Sequence, residues 1–146
     1  MRGVTLLEMM VVVTIIAAIA SISFPAMSTG LAGIRLASAA GTVASFLESA
    51  MNQVDRRERA AEIVIGPKDR AIAVYTAESG DKPARRLVMP DTIQIEGDES
   101  RRFLLFPGGA FPRIRVALRN ERGARREIEI DPVTAVPKIT RGAENR

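Results

Sequence analysis

Gly3-Val4-Thr5-Leu6-Leu7-Glu8-Met9-Met10-Val11-Val12-Val13 is the stretch on which the fold of this 146-residue chain turns. From Val4 to Phe24 every residue is apolar or small except Glu8. At about 1.5 Å per residue, such a run covers roughly 30 Å as a helix, the thickness of a bilayer's hydrocarbon core. Its β-branched residues, Val11 to Val13, Ile15 and Ile16, weaken a helix in water, but in lipid the backbone has to satisfy itself and helix is imposed. A secretory signal peptide would give way after about 7–15 apolar residues to a small-residue cleavage site. This run is longer and continues into a further helical pattern. The positive groups ahead of it, Arg2 and the α-amine, orient residues 1–3 to the cytoplasm and the remainder to the far side of the membrane. Glu8 costs about 2.5–3.5 kcal/mol at membrane depth, so it needs a partner, and the segment itself offers no Lys or Arg. A cut after Gly3 would create an α-ammonium on Val4, and that amine from a neighbouring subunit could pair with Glu8. The alternative is a Glu8 close enough to the interface to reach water.

Beyond this segment, Pro25 is expected to kink the helix. Apolar residues then return at helical spacing, Leu36, Ala40, Val43, Leu47, Ala50 and Val54, and form one stripe that Glu48, Asn52 and Asp55 avoid. The spacing predicts an amphipathic continuation over residues 26–55. From Glu62 the period falls to two: Ile63 and Ile65, Ile72 and Val74, Ile93 and Ile95, Ile114 to Leu118, Ile128 and Ile130. Leu87-Val88-Met89 and Phe103-Leu104-Leu105-Phe106 are shorter, more apolar runs. Turn signals such as Gly66-Pro67, Pro107-Gly108-Gly109, Asn120 to Gly123 and Asp131-Pro132 separate them. The fold class expected is α+β, a long N-terminal helix packed on a small antiparallel sheet or sandwich of seven or eight strands. The divisions are a leader at 1–3, a transmembrane helix at 4–25, the amphipathic helix at 26–55, a β-rich head at 56–140 and a basic tail at 141–146, read as a candidate for disorder.

The sequence holds no cysteine and no histidine, which removes disulfides, thiolate metal sites and the commonest general base. No cofactor or metal site is readable. Asp91, Glu96, Asp98 and Glu99 fit no calcium-loop spacing and read as solvated turns. Pro107-Gly108-Gly109 lacks the Lys-Ser/Thr of a phosphate loop and reads as a turn. Charge is lopsided: residues 101–146 hold eleven Lys/Arg against five Asp/Glu, either a solvated basic face or a contact for an anionic partner. The pairs Arg85-Arg86, Arg101-Arg102 and Arg125-Arg126 stand at expected strand starts, where alternation turns one of each to solvent.

The run from Gly3 to Val13 resembles the prepilin peptidase signature of type IV pilins and type II secretion pseudopilins, with Val4 where that family favours Phe or Met. The resemblance implies that a membrane peptidase cuts after the glycine, here Gly3, and methylates the new N-terminus, here Val4. It implies that the early glutamate, Glu8, serves assembly and that a proline, Pro25, kinks the helix. Phe103 to Gly109, Arg113 to Leu118 and Arg125 to Thr134 are similar to the C-terminal half of the GspH/FimT family, with Ala135 where a glycine is usual. From this follow the expected roles: a non-enzymatic minor pseudopilin of a type II secretion pseudopilus, single-pass in the inner membrane, N-terminus cytoplasmic and head periplasmic. Its expected partners are other pilin or pseudopilin subunits and the prepilin peptidase. The alternative is a minor type IV pilin that supports pilus biogenesis or binds DNA for uptake through Arg125, Arg126, Lys138, Arg141 and Arg146.

Overall fold

The computed structural model describes residues 5–142, with side chains throughout that range except for residues 22–29. One helix, α1, runs Leu6–Arg57. It starts where Thr5 caps it: the Glu8 N–H donates to Thr5 Oγ1 at 3.2 Å, satisfying one of the amides that a helix N-terminus leaves open. It ends after Arg56 and Arg57, whose charges oppose the negative end of the helix dipole. Glu58 then turns left-handed, φ 51°. The Arg59 N–H donates back to the Val54 carbonyl at 3.4 Å, the six-to-one bond of a Schellman stop. Pro25 lies within α1, but its side chain, and with it the expected kink, falls outside the described residues.

The chain divides into two units, Met1–Ile34 and Arg35–Arg146. In the first, the described residues are helix, and Leu6–Ser21 is exposed around its whole circumference. In the second, eight strands follow the helix: β1 (Ala61–Gly66), β2 (Ala71–Thr76), β3 (Arg85–Val88), β4 (Ile93–Ile95), β5 (Arg101–Leu105), β6 (Arg115–Asn120), β7 (Arg125–Ile130) and β8 (Pro137–Arg141). They form two four-stranded antiparallel sheets, β3-β2-β1-β5 and β4-β6-β7-β8.

Alternation decides which side chains enter the core. Ile63 and Ile65 of β1 stand opposite Val74 and Ile72 of β2, and all four are buried. In the second sheet Val116 faces Ile128, Ile93 and Ile95 lie on β4, and these too are buried. The helix stripe Leu36, Ala40, Val43, Leu47, Ala50 and Val54 is buried in the same cluster. The residues picked out by a 3.6 period and those picked out by a period of two therefore meet in one core. Gly30–Arg57 has the length and composition of a membrane span, yet the stripe that makes it apolar is the one enclosed by the head's strands. The longest continuous run of uncovered apolar residues among those described is Leu6–Ser21.

One expectation needs correcting. Arg141, read as the first residue of a tail beyond the head, is the last residue of β8 and stands opposite Arg126 of β7. The strand was hard to read because it holds one large apolar residue, Ile139, and opens with a proline. That composition suits the outermost position it occupies.

Candidate assembly helix and basic strand edge

Leu6–Ser21 carries few polar groups, and the helix absorbs most of them. Thr14 Oγ1 donates to the Met10 carbonyl at 2.7 Å, and Ser21 Oγ to the Ala18 carbonyl at 2.8 Å. Thr5 is spent on the cap. That leaves the Glu8 carboxylate, in the first turn, without a hydrogen-bond or ion-pair partner among the described residues. Its place there is favourable to a negative charge, since the N-terminal end of a helix is its positive end. Around it Leu6, Leu7, Met9, Met10 and the valines that follow are exposed. An all-round apolar helix is stable in lipid or against other helices, not in water. Gly3 and Val4, the expected cleavage residues, lie outside the described residues, so Glu8 is the first site residue that the structure places.

The basic residues on the strands of the second sheet, with Arg113 just before β6, fall into two groups. On one face of the second sheet, Glu96 lies between Arg119, at 3.4 Å, and Arg125, at 2.8 Å. The Arg125 contact is an ion pair without hydrogen-bond alignment, since its buried Nε finds no acceptor in line. Glu129 is held by Arg115 at 3.0 Å and Arg113 at 3.6 Å. Arg125, expected as a DNA contact, is thus already engaged. The second group is Arg126, Lys138 and Arg141, for which no ion pair exists among the described residues; Arg126 and Arg141 are direct cross-strand neighbours. Arg146 lies outside the described residues. Asp91 pairs with Arg70 at 2.7 Å; with Glu96 bound to arginines, two of the four acids weighed for calcium have other partners.

The turn into β8 is built by one aspartate. Asp131 Oδ1 accepts the N–H groups of Val133 at 2.8 Å and Thr134 at 3.0 Å. These bonds, that of Thr134 first, hold the carboxyl below the usual carboxylate range. Ala135 closes the turn with φ 56°, its N–H donating to the Asp131 carbonyl at 2.9 Å. The residue standing where the family has glycine therefore occupies a backbone region that favours glycine.

Residues 1–24 match the model of the prokaryotic N-terminal methylation motif. Among solved structures, the chain is similar to the minor pseudopilin EpsH from the type 2 secretion system of Vibrio cholerae, at TM-score 0.59 and 9% identity, over 73% of this chain and 97% of that one. It is also similar to the type IV minor pilin FimU of Pseudomonas aeruginosa in two crystal forms. One gives TM-score 0.53 at 15% identity, over 75% of this chain and 89% of that one. The other gives TM-score 0.52 at 16% identity, over 75% and 94%. No curated protein matches the sequence. The fold is type IV pilin-like. An N-terminal apolar helix and a head of antiparallel sheets share one chain.

Two features of this pilin-like chain escaped the sequence reading. Thr5 acts as the helix cap, and the pattern Thr5-x-x-Glu8 ahead of an apolar run was the signal for it. Asn120, read only as part of a turn, is buried. Its Oδ1 accepts the N–H groups of Arg122 and Ala124 at 3.1 and 2.9 Å, fixing the β6–β7 hairpin.

Proposed function

We propose that this protein is a minor pseudopilin, a structural and non-enzymatic subunit of the pseudopilus of a type II secretion system. The observation that carries the reading is Glu8: one unpartnered carboxylate in a wholly exposed apolar helix, within a methylation motif, on a chain with a pilin-like head. Cleavage after Gly3 would expose the Val4 amine, and the Glu8 carboxylate of one subunit would pair with that amine on the next. At membrane depth such a pair offsets a cost of about 2.5–3.5 kcal/mol that each unpaired Glu8 otherwise bears. The sequence similarity over Phe103–Thr134 to the GspH/FimT family supports a minor pilin-like subunit, and the likeness to a minor pseudopilin of a type 2 secretion system favours the secretion reading. With Arg2 ahead of the helix, the N-terminus would face the cytoplasm and the head the periplasm.

The test has two arms. Gly3→Val is expected to leave the precursor uncut, and Glu8→Ala to be cut normally but to lose incorporation into pseudopili by tenfold or more. Normal maturation of the first, or normal incorporation of the second, refutes the role assigned to that residue.

A second reading rests on Arg126, Lys138 and Arg141 being without acidic partners among the described residues: a minor type IV pilin whose head binds DNA. It expects DNA affinity to fall steeply with salt and to weaken when Arg141 is replaced.

A further inference from the structure

The free edge of β8 differs from the head's other strand edges in what it offers. Gly142 N–H donates to the Arg125 carbonyl at 3.2 Å, which sets the phase of the β7–β8 ladder. In that phase Lys138 and Thr140 direct their backbone groups to β7, while Ile139 and Arg141 direct theirs outward. Pro137 has no N–H to give, so it and Lys138 blunt the first half of the edge. The second half, Ile139 to Arg141, is left with outward N–H and C=O groups that meet no strand among the described residues.

The side chains along this half edge select a partner. Arg126 and Arg141 form a non-hydrogen-bonded cross-strand pair, the closer of the two antiparallel spacings. Like charges so placed destabilise the sheet, and no carboxylate among the described residues offsets them. Beside them Ile139 stands opposite the fully buried Ile128 yet is 39% exposed. Arginines alone would suit phosphates; outward backbone groups with an exposed apolar side chain suit a polypeptide strand. A second copy of β8 would add its own Lys138 and Arg141 to an edge already carrying unoffset positive charge, so self-pairing is disfavoured.

We propose that β8 is a docking edge for an extended acidic segment of a different protein, which adds as a fifth strand beside Ile139–Arg141 and sets a carboxylate against Arg126 and Arg141. This rests on the head alone and stands whether or not the chain serves a pseudopilus.

The probe is a seven-residue peptide alternating valine and glutamate, titrated into the full chain in detergent micelles and followed by residue-resolved amide exchange. The peptide is expected to slow exchange at Ile139 and Arg141 by tenfold or more, with little change at Lys138 and Thr140, whose amides β7 already holds. Arg141→Glu, a change at an exposed position, is expected to weaken binding at least tenfold. A peptide with lysine in place of glutamate is expected not to bind. Binding without protection of the Ile139 and Arg141 amides, or equal binding of the lysine peptide, overturns the proposal. It is equally overturned if a DNA duplex displaces the peptide and depends on Arg141 while leaving those amides fast, since the edge would then be a phosphate-binding surface.

Discussion

Ala135 holds a left-handed backbone, φ 56°, at the last step of the turn that Asp131 organises. A side chain there costs about 1–2 kcal/mol, and a glycine would return part of that cost to its greater freedom when unfolded. Ala135→Gly is therefore expected to stabilise the head by about 0.5 kcal/mol, read as a small rise in its thermal midpoint. The same turn carries a pH dependence. Asp131 has its pKa lowered by accepting the Thr134 and Val133 amides, so the folded form favours the carboxylate. Its contribution is present above the ordinary carboxylate range near 4 and is lost as pH falls through and below that range. Protection of the Val133 and Thr134 amides, measured against their intrinsic exchange rates, is expected to fall as the pH drops below about 4. Asp131→Ala, which has no side-chain oxygen to accept those amides, is expected to show low protection at every pH, and an unchanged profile in that variant would remove Asp131 as the cause.

At the scale of elements, the helix and strands were legible because each repeats its own period. The stripe from Leu36 to Val54 is buried residue for residue, and the arginine pairs at 85, 101 and 125 do begin β3, β5 and β7. Leu47 is fully buried in that stripe. Leu47→Ala is expected to cost about 2–5 kcal/mol through lost burial and the cavity left behind, read as a lower midpoint in thermal or chemical unfolding. The β8 strand was not legible, because one apolar residue in five carries no alternation. Nor were the partners of the arginines: Glu96 meets Arg119 and Arg125 only once β4, β6 and β7 are in register. Sequence spacing has no access to that register. The candidate site divides in the same way. Glu8 announced itself as the lone charge in an apolar run, whereas the separation of Arg125 from Arg126 and Arg141 is a product of pairing.

Across the whole molecule, the two units answer to different solvents. Leu6–Ser21 exposes apolar side chains on every side, while Arg35–Arg146 encloses its own core. Changes in one are then expected to leave the other's property intact. Glu8→Ala should keep the head's thermal midpoint within error while abolishing incorporation into a fibre. Leu47→Ala should lower the midpoint while Gly3 is still cut. A Glu8→Ala chain with a destabilised head would show that its assembly defect is a folding defect.

The buried stripe of α1 begins at Leu36, and this settles how the chain can be shortened for work in solution. A boundary drawn between the amphipathic helix and the β-rich head, at residues 55 and 56, looks natural on paper. It would strip the strands of Leu36, Val43, Leu47 and Ala50 and leave their inner faces open to water. A soluble fragment has to begin upstream of Leu36 and can discard Leu6–Ser21, keeping every helical residue that the strands enclose.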